Sequence, residues 1–203
     1  MTPDLLVLAA GGMLIVSSRS SVVLAAYVVL AITASVLIAP ATTVSTLAFA
    51  LFVLTTILKV AVAPAVLVWF VKAHPGARDL RSSATLPARL VFAIAIAAAA
   101  NGFAQSPLVA SLPLLKIVVF VVACGLGMLL VHRNLIAHII ALLVLGTGVT
   151  LCGAVFAPQL PEAIELGATF DVLVGTFIGL ALIRALVARD AVLDIETLRS
   201  LRG

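Results

Sequence analysis

Two ionisable residues lie inside runs of sequence that are otherwise apolar, and these two residues are of types that can do chemistry. Asp171 lies in GATFDVLVGTFIGLALI, which begins at Gly167, and Lys59 lies in FVLTTILKVAVAPAVLVWF, which begins at Phe52. A charge within a membrane-embedded run is energetically costly and usually marks an ion or proton path. The sequence therefore predicts either a proton-handling site or a structural pair between Lys59 and a buried carboxylate.

Asp171 belongs to a stripe of small residues. Gly167, Asp171, Gly175 and Gly179 are spaced by four, so they share one face of a helix. Small residues at this spacing let membrane helices approach closely. Asp171 follows Pro161 by about 15 Å of helical rise, which places it near mid-membrane. We expect its carboxylate to face a neighbouring helix, with Gly167, Gly175 and Gly179 as packing positions.

Lys59 is also predicted to lie deep within its span. Thr55 and Ala63 flank it at four-residue spacing on the same helix face. It lies about 20 Å from the cytoplasmic end of the helix, which is too far for its amino group to reach the interface easily. Pro64 removes the helical hydrogen bond to the carbonyl of Val60, so a second polar group is expected beside the lysine.

Two roles are possible for each of the other candidate residues. Glu162 and Glu165, near the outer start of the last helix, favour either proton entry or stabilisation of a helix N-terminus. His138 could relay a proton or serve only in packing. His132 and Arg133 lie at the interface, where a topology signal or a lipid contact is expected.

The composition excludes an ordinary soluble domain. The 203 residues are 64% hydrophobic and 10% charged, and the mean hydropathy is +1.35; about a quarter of the residues of a soluble domain are charged. We therefore predict an all-α integral membrane protein with the lipid bilayer as its surroundings. The formal net charge of +4 is carried by basic residues between apolar runs, so it indicates topology rather than binding of nucleic acid.

The apolar runs predict about seven transmembrane helices, because about 20 helical residues cross a bilayer. They divide the chain into an N-terminal three-helix part (1–71), a basic cytoplasmic loop (72–87), a two-helix part (88–131) and a final pair of helices with a tail (132–203). The predicted spans are Pro3–Ser17, Val22–Ile38, Thr43–Val71, Ala88–Ala104, Leu112–Val131, Leu135–Phe156 and Ala163–Ala188.

The charges of the connections predict the orientation. Arg or Lys occurs in the Arg19 turn, in the loop from Lys72 to Arg89, in the turn at His132 and in the tail from Arg184 onward. The three connections between these carry neither residue. This alternation places the N-terminus outside and the C-terminus in the cytoplasm.

Motifs for covalent or redox chemistry are absent from the sequence. There is no Walker motif, no HExxH and no GxSxG, and Cys124 and Cys152 lack the spacing of metal ligands. We therefore expect no catalytic residues, no metal site and no cofactor in this chain. A protein of this kind handles charge or holds partners together.

Three strings resemble the membrane subunit known as component E of hydrogenase-4 and of formate hydrogenlyase-like complexes. They are RNLIAHIIALLVLGTG from Arg133, PEAIELGATFDVLVG from Pro161 and DIETLRSLRG from Asp194, and LKVAVAP around Lys59 also fits that family's pattern. The last third of the chain is similar to the K-type small subunit of respiratory complex I, in which an intramembrane acidic residue takes the place of Asp171.

The resemblance implies a membrane-arm subunit of a bacterial inner-membrane, complex I-like assembly, with antiporter-like and hydrogenase-like subunits as partners. Asp171 and Lys59 would then carry charge, with Glu165 and His138 as lesser candidates. One departure is the sixth span, where the family commonly has a glutamate followed by Asn-Gly and this chain has Gly146 and Thr147. Two alternatives stay open: a scaffold in which Asp171 and Lys59 are a fixed ion pair, and an independent ion or solute transporter.

Overall fold

The described part of the chain is built from helices. A computed structural model describes residues 3–39, 46–73, 80, 82–106 and 114–156, together with the separate positions 167, 170, 174–177, 179, 181 and 184. Within the continuous segments a five-residue π-helical turn, Leu58–Val62, joins the third helix to the fourth, and no β-strand is present. The helices are α1 (Pro3–Val16), α2 (Ser20–Ile38), α3 (Thr46–Ile57), α4 (Ala63–Ala73), α5 (Leu86–Ala104), α6 (Leu115–Val131) and α7 (Leu135–Phe156).

The all-helical fold class is confirmed, and four membrane-crossing segments are supported by length and composition. These candidate spans are Ser20–Ile38, Phe52–Lys72, Leu86–Phe103 and Leu135–Phe156 in the part of the chain that the structure describes. Helices α1 and α6 are equally apolar but shorter. The predicted third span corresponds to α3, the π turn and α4 together. Of the predicted seventh span only separate positions are described, and each of these is helical.

Local sequence explains where several helices begin and end. Helix α2 stops at Ile38 because Ala39 precedes a proline and leaves the helical conformation, with φ −46° and ψ 123°. Helix α5 tolerates Pro87 because this residue lies in the first turn, where an N–H has no helical partner. Helix α7 begins at a buried Asn134, whose side-chain oxygen accepts a 2.9 Å hydrogen bond from the N–H of Ile136.

Helix α1 packs against α2, α5 and α6, while α7 packs against α6 and α2. The α6–α7 contact depends on two glycines. A Cβ on Gly148 would approach Cγ2 of Val122 to 2.7 Å, and one on Gly125 would approach Cγ of Leu145 to the same distance. Large side chains fill the core between the helices, among them Leu14, Ile15, Tyr27, Leu30, Leu67, Met128, Ile140 and Leu143.

The outer surface of the bundle is apolar as well. Leu130 on α6 is 73% exposed and Trp69 on α4 is 68% exposed, and large exposed aliphatic residues also occur on α2 and α5. A helix that is hydrophobic on all sides is either deeply buried in protein or surrounded by lipid. Helix α4 and the π turn before it pack against α2. The outer face of α4 is apolar.

Candidate functional site

Lys59 lies in the π-helical turn between α3 and α4, and it is 5% exposed. Thr55 and Ala63, which precede and follow it by four residues, are buried too. The predicted face of Thr55, Lys59 and Ala63 is therefore directed into the bundle. A single π turn within an otherwise regular helix frequently occurs at functional sites, because the extra residue changes which carbonyl groups are bonded within the helix.

The amino group of Lys59 bonds to α7. Its Nζ donates to Oγ1 of Thr150 over 2.8 Å, and the Thr150 hydroxyl donates in turn to the carbonyl of Gly146 over 3.0 Å. Because the only hydrogen of that hydroxyl is directed to Gly146, its oxygen is left to accept from Lys59. Thr150 therefore holds the amino group in place in either of its protonation states.

The backbone of Lys59 is bound by a third helix. In the i→i+5 pattern of the π turn, the N–H of Ala63 donates to the carbonyl of Leu58. The next donor in that pattern would be residue 64, but Pro64 has no N–H. The hydroxyl of Tyr27 on α2 donates to the Lys59 carbonyl over 3.2 Å instead. In a regular α-helix, Pro64 would leave the carbonyl of Val60 without a donor. Here the carbonyl without a helical donor is that of Lys59, because the π turn shifts the hydrogen-bond pattern by one residue.

The hydroxyl of Tyr27 also lies near that of Thr147 on α7. The hydroxyl of Thr147 donates to the carbonyl of Leu143 over 3.0 Å, so it is held in the same way as that of Thr150. We call Lys59, Tyr27, Thr147 and Thr150 the Lys59 site. It is a buried amino group surrounded by hydroxyls from two other helices, and this chemistry can hold, accept or release one proton or orient a small polar ligand.

The other predicted charge carriers are distributed differently. Asp171 and Glu165 lie outside the described residues. His138 is described: its Nδ1 donates to the carbonyl of Asn134 over 2.9 Å, one turn from the start of α7. About 18 Å of helical rise separates His138 from Thr150, and the buried residues between them up to Val144 are apolar. The structure does not bring His138 and Lys59 together.

The three glycines of the predicted stripe differ from one another. A Cβ on Gly179 would meet the side chain of Ile139 on α7 at 2.9 Å, whereas one on Gly167 or Gly175 would meet nothing within 4 Å. Thr176, which lies between Gly175 and Gly179 in the sequence, is buried, while Phe177 is exposed. Gly179 therefore lies against α7 at Ile139.

A second polar cluster caps the C-terminal ends of α1 and α6. Nη1 of Arg89 donates to the carbonyl of Val16 over 2.7 Å, and Nε2 of His132 donates to that of Ser17 over 3.1 Å. The hydroxyl of Ser83 donates to the carbonyl of Val131 over 2.9 Å. These side chains satisfy carbonyls that a helix C-terminus leaves without partners, and the positive charge of Arg89 is favourable there.

Of the two roles expected for His132, a topology signal or a lipid contact, the structure contradicts the lipid contact. The side chain of His132 is 1% exposed and lies under the 82–89 segment, where Ser82 and His132 form an isolated β-bridge. Burial lowers the pKa of His132 below its usual value, the hydrogen bond to Ser17 opposes this shift, and the nearby charge of Arg89 adds to the lowering. His132 is thus a neutral capping residue near pH 7 rather than a lipid-facing one.

Lys116 and Asp4 form an ion pair at the other end of α1 and α6. Both side chains are partly exposed, as expected for an interfacial lysine, so the pair contributes little to stability. The first turns of α1 and α6 therefore lie at the same end of the bundle. The Arg19, Arg89 and His132 connections lie at the opposite end.

Sequence reasoning missed Tyr27 and the direct role of Thr150. The available signal was weak: Tyr27 is the only tyrosine of the chain, and a tyrosine inside an apolar span needs a partner for its hydroxyl. Its partner could not be identified, because no local pattern relates residues 27 and 59.

The fold and the Lys59 site define an all-helical protein with several helices long and apolar enough to span a membrane and a buried amino group between them. Comparisons of the chain with models of protein families, with curated proteins and with solved structures give no match. Among the described residues, no group of three His, Cys, Asp or Glu side chains could hold a metal ion. The functional argument therefore depends on the Lys59 site.

Proposed function

We propose that this chain is a multi-pass protein of the bacterial cytoplasmic membrane with seven transmembrane helices, its N-terminus outside and its C-terminus in the cytoplasm. Four long apolar helices and an apolar outer surface support the membrane location. The orientation is supported by the clustering of the Arg19, Arg89 and His132 connections at one end of the bundle, since basic connections remain on the cytoplasmic side.

Within that membrane, the chain serves as a proton- or ion-translocating membrane-arm subunit of a complex I-like, group 4 hydrogenase-like assembly. The observation that carries this proposal is the buried amino group of Lys59, held between Thr150 and the π turn. Ionisable groups in such positions typically belong to proton or ion paths. The resemblance to component E of hydrogenase-4 supplies the kind of assembly, with antiporter-like and hydrogenase-like subunits as partners.

In this proposal Lys59 exchanges a proton with Asp171, and Glu165 and His138 act nearer the two surfaces. Thr147 and Thr150 supply hydroxyls at the level where the resembled family commonly has a glutamate. A hydroxyl can pass a proton along hydrogen bonds but does not store one at neutral pH. Among Lys59, Thr147 and Thr150, only Lys59 can therefore store a proton.

A structural scaffold is the second candidate, and one observation favours it. The bonds from Lys59 to Thr150 and from Tyr27 to Lys59 cross-link α2, the π turn and α7, as a purely structural polar site would. The buried residues of α7 between His138 and Thr147 carry no titratable side chain. In this alternative, Lys59 and Asp171 stabilise one arrangement of helices and move no proton.

The assembly is tested by purifying the full chain, with an affinity tag, from membranes in mild detergent. We expect mass spectrometry to identify antiporter-like and hydrogenase-like subunits in the same particle. A chain that purifies alone, from membranes that do contain such subunits, would contradict the proposed assembly.

Relay and scaffold are separated with Asp171→Asn and with the double change Asp171→Asn plus Lys59→Met. A relay predicts normal assembly of Asp171→Asn with reduced ion translocation in vesicles, and translocation stays low in the double variant. A scaffold predicts poor assembly of Asp171→Asn, since a buried charge without its partner costs about 3–5 kcal/mol. The double variant would then regain both assembly and translocation. Normal translocation by Asp171→Asn alone would exclude Asp171 as an obligatory carrier.

A further inference from the structure

A groove of about 540 Å³ lies between the first turn of α2 and the last turn of α4. Arg19, which precedes α2, and Lys72, in the last turn of α4, contribute two exposed cationic side chains to its lining. Ser21 adds a hydroxyl to the lining. The start of α2 also carries the positive end of the helix dipole. The polar end of the groove therefore attracts an anion.

The described part of the chain has no carboxylate available to neutralise these cations. Asp4 is its only acidic residue, and this residue pairs with Lys116 at the opposite end of α1. Helix α1 has 14 residues, so about 21 Å of helical rise separates that pair from the Arg19 end of the bundle. Within the described residues, no carboxylate therefore offsets the positive charge of the groove.

The remainder of the groove is apolar. Leu24, Val68 and Val71 line it below the cations, and Val68 is partly exposed. This lining continues into the apolar outer surface of α4, where Trp69 is largely exposed. The groove thus combines a cationic end with a hydrocarbon floor, and its volume far exceeds that of an inorganic phosphate.

We propose that the α2–α4 groove binds an anionic phospholipid, with the headgroup phosphate between Arg19 and Lys72 and one acyl chain along Leu24, Val68 and Val71. Basic pockets between membrane helices at the cytoplasmic surface recognise anionic headgroups in this way. The apolar floor selects a lipid over a soluble phosphate, because a free phosphate would leave that floor in contact with water. This inference rests on the membrane placement proposed above and on no other part of the proposed function.

The single tryptophan of the chain reports on this groove, since Trp69 follows Val68 directly. The full chain is placed in phosphatidylcholine nanodiscs, and small mole fractions of brominated phosphatidylglycerol or brominated phosphatidylcholine are added. We expect phosphatidylglycerol to quench the fluorescence of Trp69 at lower mole fractions. Arg19→Gln and Lys72→Gln should each weaken this preference about fivefold, and both together about thirtyfold. Arg184→Gln removes one exposed positive charge elsewhere and should retain the preference.

Ser21→Phe fills the groove and keeps both cations, so it should also remove the preference for phosphatidylglycerol. Equal quenching by the two lipids in the unmodified chain would overturn the lipid site. So would a loss of preference as large in Arg184→Gln as in Arg19→Gln, because attraction would then be a general effect of surface charge. Displacement of the bound lipid by millimolar glycerol phosphate would assign the groove to a soluble phosphate instead. Quenching by neither lipid would overturn the membrane placement and the groove together.

Discussion

The amino group of Lys59 donates a 2.8 Å hydrogen bond to the hydroxyl of Thr150, which lies 91 residues further along the chain. The bond joins the π turn of one helix to the second half of α7. Both partners are buried, so the bond forms where the effective dielectric constant is low and an unsatisfied donor is costly. Loss of this acceptor should therefore be measurable in the stability of the whole chain.

Thr150→Val keeps the shape of the side chain and removes this hydrogen bond from Lys59. We expect a destabilisation of about 1–3 kcal/mol, the usual range for the loss of one buried hydrogen bond. Thr33→Val is the matched control, because the buried Thr33 hydroxyl bonds only to the carbonyl of Val29 in its own helix. Unfolding of the full chain in the same detergent measures both changes. Equal effects of the two would mean that the bond to Lys59 contributes nothing.

A second prediction concerns the carbonyl of Lys59, which Pro64 deprives of a helical donor and to which Tyr27 donates. Tyr27→Phe should cost about 1 kcal/mol of stability in the natural sequence. In a Pro64→Ala background the new N–H can supply the missing hydrogen bond, so the same change should cost less. A double-mutant cycle on unfolding free energies measures this coupling.

The control for that cycle is Pro87→Ala, since Pro87 lies in the first turn of α5. This change should not couple to Tyr27→Phe. Additive effects of Pro64→Ala and Tyr27→Phe would show that the Tyr27 hydroxyl does not replace the missing donor.

The sequence was sufficient to predict the all-helical fold class and the burial of Lys59. Apolar runs of bilayer length define the helices, and the predicted sixth span coincides with α7. Thr55, Lys59 and Ala63, which the sequence places at four-residue spacing, are all buried. These features are local, because they depend on residues within one or two helical turns.

The partners of Lys59 could not be predicted, because they are set by tertiary packing. Tyr27 and Thr150 reach Lys59 from α2 and α7, and no local pattern specifies which helices are neighbours. The π turn was not predicted either, since Pro64 indicates a lost hydrogen bond but not the register that the helix then adopts. Burial of His132 similarly depends on the 82–89 segment folding over the end of α6.

Gly148 provides a test of the α6–α7 packing. A Cβ at this position would lie 2.7 Å from Cγ2 of Val122, a β-branched side chain that cannot move aside easily. Gly148→Ala should therefore destabilise the chain by about 1–3 kcal/mol through overpacking. Gly102→Ala is the control, because a Cβ there meets nothing within 4 Å. It should be neutral or stabilising by up to about 1 kcal/mol, since alanine favours a helix over glycine. Equal behaviour of the two variants in thermal unfolding would contradict the close contact.

The last prediction is a dependence of stability on pH that comes from His132. Burial lowers the pKa of His132 in the folded chain, and the nearby positive charge of Arg89 adds to this lowering. The unfolded chain therefore takes up this proton at higher pH than the folded chain does. The stabilisation is complete above the unfolded pKa of about 6.5 and is lost progressively as the pH falls below that value.

Unfolding free energies of the full chain measured between pH 7.5 and pH 5 should therefore decrease, with a slope from this group of at most about 1.4 kcal/mol per pH unit. His132→Gln keeps an amide donor for the carbonyl of Ser17 but does not titrate, so it should flatten the decrease. The comparison variant is His138→Gln, which removes the other described histidine. If the decrease survives in His132→Gln and disappears in His138→Gln, the pH dependence belongs to His138, and the assignment to buried His132 is wrong.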